Sequence, residues 1–181
     1  MDIEKEFRVA AAQAEVWEFI TSAEKIATCI PGVEKVDIRS PGKYTGVMTI
    51  KVGPIKTFVK ADVDELEQKF PEYAAYSIQG EEGGRASRMN ADAKLYLTVV
   101  AADQTDVRFT SHVVIVGRLG KFAGGVMNKL ADSIAEQFIT EVRRQLEPQP
   151  EVPAAVVKRG FWARIMVFLR GVFGGSNKSG T

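Results

Sequence analysis

From Val33 to Val116 apolar and polar residues alternate with a period of two, broken only by turn signals, and this pattern admits little besides a sheet. The breaks are Ser40-Pro41-Gly42, Gly53-Pro54, Phe70-Pro71, Glu81-Glu82-Gly83-Gly84 and Ala102-Asp103-Gln104. They divide the run into six strands, predicted at 33–39, 43–52, 55–68, 73–80, 86–100 and 105–116. Residues 2–9, with Ile3, Phe7 and Val9 among charges, read as one further strand ahead of them. Connections this short join antiparallel neighbours.

Two helices separate the first strand from the rest. Ala10 to Ile20 places Val16, Phe19 and Ile20 on one face. Ser22 is positioned to cap a second, short helix with Ala23, Ile26 and Ala27 inward, ended by Ile30-Pro31-Gly32. After the last strand a helix is predicted from Leu119 to Leu146, its apolar stripe made of Leu119, Ala123, Val126, Met127, Leu130, Ile134, Phe138 and Val142. Gly120, Gly124 and Gly125 crowd its near end, and each costs about 1 kcal/mol against alanine. Either they permit close packing on the sheet or they leave a mobile entrance to a cavity.

Strand, two helices, six strands and a long helix is the order of an α+β helix-grip fold, a curved antiparallel sheet wrapped around a C-terminal helix, in which the gap between them is commonly a ligand cavity. Gly53-Pro54 is placed for the kink that such curvature requires. The domain is expected over residues 1–146, a proline-rich linker over 147–157 and a separate tail over 158–181.

The alternation specifies a lining. Tyr44, Gly46, Met48, Ile50 and Val52 share one face of their strand, and Met89, Ala91, Ala93, Leu95, Leu97 and Val99 share one face of theirs. Val107, Phe109, Ser111, Val113 and Ile115 do the same on the last strand, with Val126, Met127, Leu130 and Ile134 of the long helix opposite. Methionines among alanines and glycines leave adaptable space, suited to a lipophilic ligand, with Tyr44 and Ser111 as polar contacts.

A catalytic constellation is not legible. His112 is the only histidine, expected on the solvent side of its strand, and zinc-like metals need three or four ligands. Cys29 is the only cysteine, which excludes an internal disulfide, and it reads as a small packed thiol. Asp62, Asp64, Glu65, Glu67, Glu81 and Glu82 occupy strand and turn positions typical of solvated faces. Gly83-Gly84 and Gly124-Gly125 lack the context of a phosphate loop. A non-enzymatic role is expected, with no covalent cofactor and no metal. The net charge of +1 gives no electrostatic case for nucleic acid.

The tail has its own pattern. Wound as a helix, Phe161, Trp162, Ile165, Met166, Phe168, Leu169, Val172 and Phe173 cover one continuous arc, while Arg164 and Arg170 take the other side with the glycines. From Phe161 to Phe173 such a helix is about 20 Å long, too short to cross a hydrocarbon core of about 30 Å. Lys158, Arg159 and Lys178 add charge of the same sign. An amphipathic, cationic, aromatic segment of this kind matches a helix lying in the interface of an anionic membrane. Docking on a partner or on its own domain stays open, although Pro148, Pro150 and Pro153 favour an extended spacer ahead of it. Met1-Asp-Ile-Glu-Lys-Glu-Phe7 lacks an apolar h-region, so no secretory leader is expected there.

Over residues 1 to about 146 the chain resembles the carbon monoxide dehydrogenase CoxG family, a branch of the START-like (SRPBCC) proteins. The resemblance rests on Phe7-x-Val9, Ala14-x-Val16-Trp17-x-Phe19, Cys29-Ile30-Pro31-Gly32-Val33-Glu34, Tyr44-x-Gly46, Lys51-Val52-Gly53-Pro54-Ile55 and Gly117-Arg118-Leu119-Gly120. It implies an accessory protein of a molybdenum-flavin carbon monoxide dehydrogenase, peripheral to the cytoplasmic side of the cell membrane. Joined to the cavity and the tail, it leads to the expectation that the domain carries a respiratory quinone, menaquinone or ubiquinone, between membrane and enzyme. A membrane-recruitment anchor, a maturation factor and an enzyme of the cyclase or hydrolase sort remain as alternatives.

Overall fold

Alternation in the sequence becomes seven strands: β1 (Asp2–Val9), β2 (Val33–Ser40), β3 (Lys43–Val52), β4 (Ile55–Lys69), β5 (Tyr73–Glu82), β6 (Ser87–Ala101) and β7 (Gln104–Gly117). The computed structural model describes residues 1–122 and 125–148. All strands join one antiparallel sheet in the order β1-β7-β6-β5-β4-β3-β2, a meander in which only β1 is displaced to pair with the last strand. The predicted linker from 149 onward and the tail with Phe161, Trp162, Arg164, Ile165, Met166, Phe168, Leu169, Arg170, Val172 and Phe173 lie outside the described residues.

Turn chemistry sets the registers. Ser40 pairs with Lys43 across Pro41-Gly42, and Gly42 at φ +71° supplies the left-handed corner that a Pro-Gly turn demands. Gly53-Pro54 is a two-residue hairpin loop between paired Val52 and Ile55, with Gly53 at φ +56°, rather than the predicted sheet kink. Curvature comes instead from register shifts at Val33/Lys35, Ile38/Ser40, Glu65/Glu67 and Val99/Ala101.

Helices α1 (Gln13–Ile20) and α2 (Ala23–Ala27) follow β1, and the Ser22 side chain caps α2 by accepting from the Lys25 N–H at 3.4 Å. After β7 the chain departs from expectation. Leu119–Phe122 is a separate 3-10 turn, and helix α3 runs over Gly125–Leu146. The reason is the backbone: Gly117 has φ +90°, and a Cβ at Gly120 would lie 2.7 Å from the Ile115 carbonyl oxygen, so the chain turns sharply before it can wind.

The principal backbone approaches of α3 are to β1 on one flank of the sheet and β3 on the other, so it bridges the concave face. Lys5 meets Asp132 at 2.8 Å, the Arg143 guanidinium donates to the Arg8 carbonyl at 2.9 Å, and Gln145 donates to the Thr28 hydroxyl at 3.0 Å. The spacing Met127, Leu130, Ile134, Phe138, Val142 turns one stripe to the sheet. Among the described residues no helix is long and apolar enough to cross a membrane.

Candidate functional site

Two separate apolar clusters fasten the grip. One joins Phe7, Val9, Val16, Trp17, Leu95, Leu97 and Val142, with Tyr76 and Phe138 packed against it. The other joins Val52, Val59, Leu119 and Met127, with Met48, Ile50, Ile115 and Leu130 against it. Between them the concave face is floored by small side chains. Gly46 pairs with Ala61, Ala61 with Gly80, and Gly80 with Met89. One step along the strands, Ala91 pairs with Val113 and Ala93 with Ser111. Ala91, Ala93 and Val113 are buried yet belong to neither cluster. Above this floor stands Ile134, half-buried, between the helix residues that enter the two clusters.

The expected lining therefore divides. Tyr44, Met48, Ile50, Met89, Ala91, Ala93, Phe109, Ser111, Val113, Met127, Leu130 and Ile134 are buried or half-buried, and the strand register carries Tyr44, Met89, Ala91, Ala93, Ser111 and Val113 onto adjoining rows. Leu95 and Leu97 share the face but are packed beneath α1 in the first cluster, so they belong to the core at that end of the small-residue floor. Val126 is not part of it. At 45% exposure it stands away from the sheet, because Met127, one residue or 100° further round, takes the inward position. Val99, assigned by alternation to the same face as Leu97, is 56% exposed beside the β6–β7 register shift.

Polar groups enter the concave face at both ends, and here the carboxylates correct the sequence reading. Glu82 is buried, on the same parity of β5 as Ala74, Tyr76, Ile78 and Gly80. Its carboxylate accepts from Arg118, from the Ser87 hydroxyl at 2.6 Å and from Thr57, and Ser87 in turn accepts the Leu119 N–H at 2.8 Å. Arg118, opposed by burial and aided by the hydroxyls, holds this carboxyl below the usual range. At the other end Glu65 pairs with Tyr76 in register, and the Gln68 amide donates to its carboxylate at 2.6 Å. Tyr76 hydrogen-bonds Gln68, and burial, with Glu65 adding, pushes its phenol up to about 12. Tyr44 lies in the field of the same carboxylate, its phenol also raised, first by burial. Both phenols are protonated donors at neutral pH.

His112 faces outward as expected and pairs with Asp2 at 2.6 Å, which holds the Asp2 carboxyl below its ordinary value. Cys29 is buried and its thiol is raised, first by desolvation, which makes it a poor nucleophile. Among the described residues no His, Cys, Asp and Glu side chains are grouped to hold a metal ion. An open depression of about 810 Å³ lies where α1 meets β4, β5 and β6, and its lining is mixed: Glu67, Lys69 and Glu72 are charged, while Tyr73, Tyr96, Leu97 and Val99 are aromatic or apolar.

The architecture is similar to that of a conserved protein from Geobacillus kaustophilus, with TM-score 0.72 and 18% identity over 80% of this chain and 94% of that one. A START superfamily protein from Mycobacterium smegmatis matches with TM-score 0.63 and 13% identity over 81% and 97%. The Zhui aromatase/cyclase from Streptomyces sp. R1128 matches with TM-score 0.57 and 18% identity over 80% and 94%. These likenesses establish the START-like helix-grip fold. No curated protein matches the chain in sequence. The family model of the carbon monoxide dehydrogenase subunit CoxG matches residues 6–147, from β1 through the end of α3, and the chain belongs to that family.

Proposed function

We propose that this protein binds a lipophilic molecule between sheet and α3, and that the molecule is a respiratory quinone carried between the membrane and a carbon monoxide dehydrogenase. The observation that carries this reading is the break in the core. Two apolar clusters are separated by a floor of Gly46, Ala61, Gly80, Ala91 and Ala93, over which the unbranched Met89 side chain reaches at Gly80, so a bound apolar chain could be admitted by moving a flexible side chain rather than the backbone. Family membership supplies the accessory role beside the dehydrogenase. The sequence from Phe161 to Phe173, apolar on one side and cationic on the other, supports work at a membrane surface. An apolar ligand inside the grip would be shielded from water while the domain crosses to its partner.

Mass spectrometry of an organic extract from the full chain, purified out of its own membranes, tests this. A quinone present in stoichiometric amount, and lost from Ala93→Leu protein, is expected. Bulk phospholipid alone in both would leave a recruitment anchor, the reading that the apolar tail sequence favours by itself.

A further inference from the structure

The two polar ends of the concave face are not equivalent. At one end Glu82 has no exposed side-chain surface, and its carboxylate is engaged by Arg118, Ser87 and Thr57, so it offers a guest nothing. At the other end Tyr44, Glu65 and Tyr76 are only half-buried, and they sit in adjoining rows of β3, β4 and β5: Glu65 opposite Tyr76, and Tyr44 opposite Val63, one alternation step from Glu65. Gln68 ties Tyr76 to Glu65. Along β3 the order is Tyr44, Gly46, Met48: a phenol, then the small-residue row, then a methionine beside Val59, about 13 Å from first to last.

We infer that Tyr44, Tyr76 and Glu65 form the head-group site for the bound molecule, and that its apolar chain runs from there over Gly46 and Ala61 toward Met48, beside the flexible Met89 side chain that lies across Gly80. This rests on the carrier reading and specifies its ligand. Two phenols donate to a carbonyl or hydroxyl oxygen, and a carboxylate accepts from a hydroxyl, so an uncharged oxygen-bearing ring fits in either its carbonyl or its hydroxyl form. The same carboxylate repels an anionic head. A fatty acid, whose chain would suit the floor equally well, is selected against by charge.

Three probes of matched chain length separate these claims: decylubiquinone, decylbenzene and decanoate, each equilibrated with the full chain and measured in the protein-bound fraction. Wild type is expected to bind decylubiquinone most tightly and decanoate least. Tyr44→Phe with Tyr76→Phe should weaken decylubiquinone about tenfold and leave decylbenzene unchanged, the loss that about two hydrogen bonds represent. Glu65→Gln should raise decanoate binding. Because Tyr76 adjoins the first cluster, the single Tyr44→Phe protein, at the half-exposed rim, serves where the double variant fails to fold, with a smaller loss in the same direction. If decylubiquinone binds wild type but the tyrosine variants stay within twofold, the head-group assignment falls and the carrier reading stands. If wild type binds decylubiquinone no better than decylbenzene, the assignment falls for lack of any head recognition. If decylubiquinone does not bind at all, both fall together.

Discussion

Glu82 and Arg118 form an ion pair in which the carboxylate side chain is wholly buried and the guanidinium is half in solvent. The pair fixes the end of β5 to the segment that leaves β7, where Arg118 N–H also bonds the Ala86 carbonyl at 2.9 Å and Leu119 N–H bonds Ser87. This polar knot holds the first turn after the sheet, from which α3 is launched across the concave face.

Removing either partner should therefore be unequal in cost. Arg118→Leu leaves a desolvated carboxylate with only hydroxyl partners and is expected to destabilise the protein by about 2 kcal/mol, below the roughly 3–5 kcal/mol of a fully buried broken pair because Arg118 is half exposed. Glu82→Gln keeps a hydrogen-bonding group of the same shape and is expected to cost less. Urea denaturation of both variants measures the order, and a larger loss for Glu82→Gln would contradict it.

The same pair sets a pH dependence. The folded-state pKa of Glu82 lies below its ordinary value of 4.5, so the native state binds this proton less readily than the unfolded chain. Its contribution is fully present above about pH 4.5 and fades as pH falls through the folded-state value. The stability difference between wild type and Glu82→Gln should be constant from about pH 8 to about pH 5 and shrink below about 4.5. A difference that grows toward acid would reverse the sign and exclude the ion pair as its source.

Filling substitutions distinguish a gap from a core. Ala74 has no exposed surface and belongs to the first cluster, so Ala74→Leu is expected to overpack it at a cost of about 1–3 kcal/mol. Ala93 is as buried, at 3% exposure, but belongs to neither cluster, and Ala93→Leu should cost under about 1 kcal/mol. Thermal melts of ligand-stripped protein compare them. Equal losses would mean that the floor is packed.

Strand boundaries and faces are legible because period two survives in almost every strand: Ala91, Ala93, Leu95 and Leu97 alternate with Asn90, Asp92, Lys94 and Tyr96 as the sheet requires. Glu82 escapes a sequence reading because it stands in the turn signature Glu81-Glu82-Gly83-Gly84, although its parity with Ala74, Tyr76, Ile78 and Gly80 already places it inside. Glu65 escapes for a similar reason. It precedes the Glu65/Glu67 register shift, which spoils the alternation that would mark it as inward. The split of the core cannot be read from periodicity at all. Parity names the face that Leu95 and Ala91 share, but only the three-dimensional placement of α1 over Leu95 and Leu97 shows which of them joins the first cluster.

Membrane attachment is a separate prediction and depends on charge as well as apolar surface. Were the tail sequence wound as a helix, Arg164 and Arg170 would fall opposite its aromatic arc, within reach of headgroups. Each basic residue near an anionic leaflet contributes about 1 kcal/mol, and reversing two of them replaces that attraction with repulsion of similar size. Arg164→Glu with Arg170→Glu should thus lower the affinity of the full chain for phosphatidylglycerol-containing vesicles, read from co-sedimentation titrations at physiological salt, by about 100-fold or more, an order-of-magnitude figure of roughly 3–4 kcal/mol. Binding to purely zwitterionic vesicles should change little, since the apolar arc is untouched. Equal sedimentation of wild type and variant with anionic vesicles would remove the electrostatic part of the attachment, and with it the reason for five cations and no anion between residues 154 and 181.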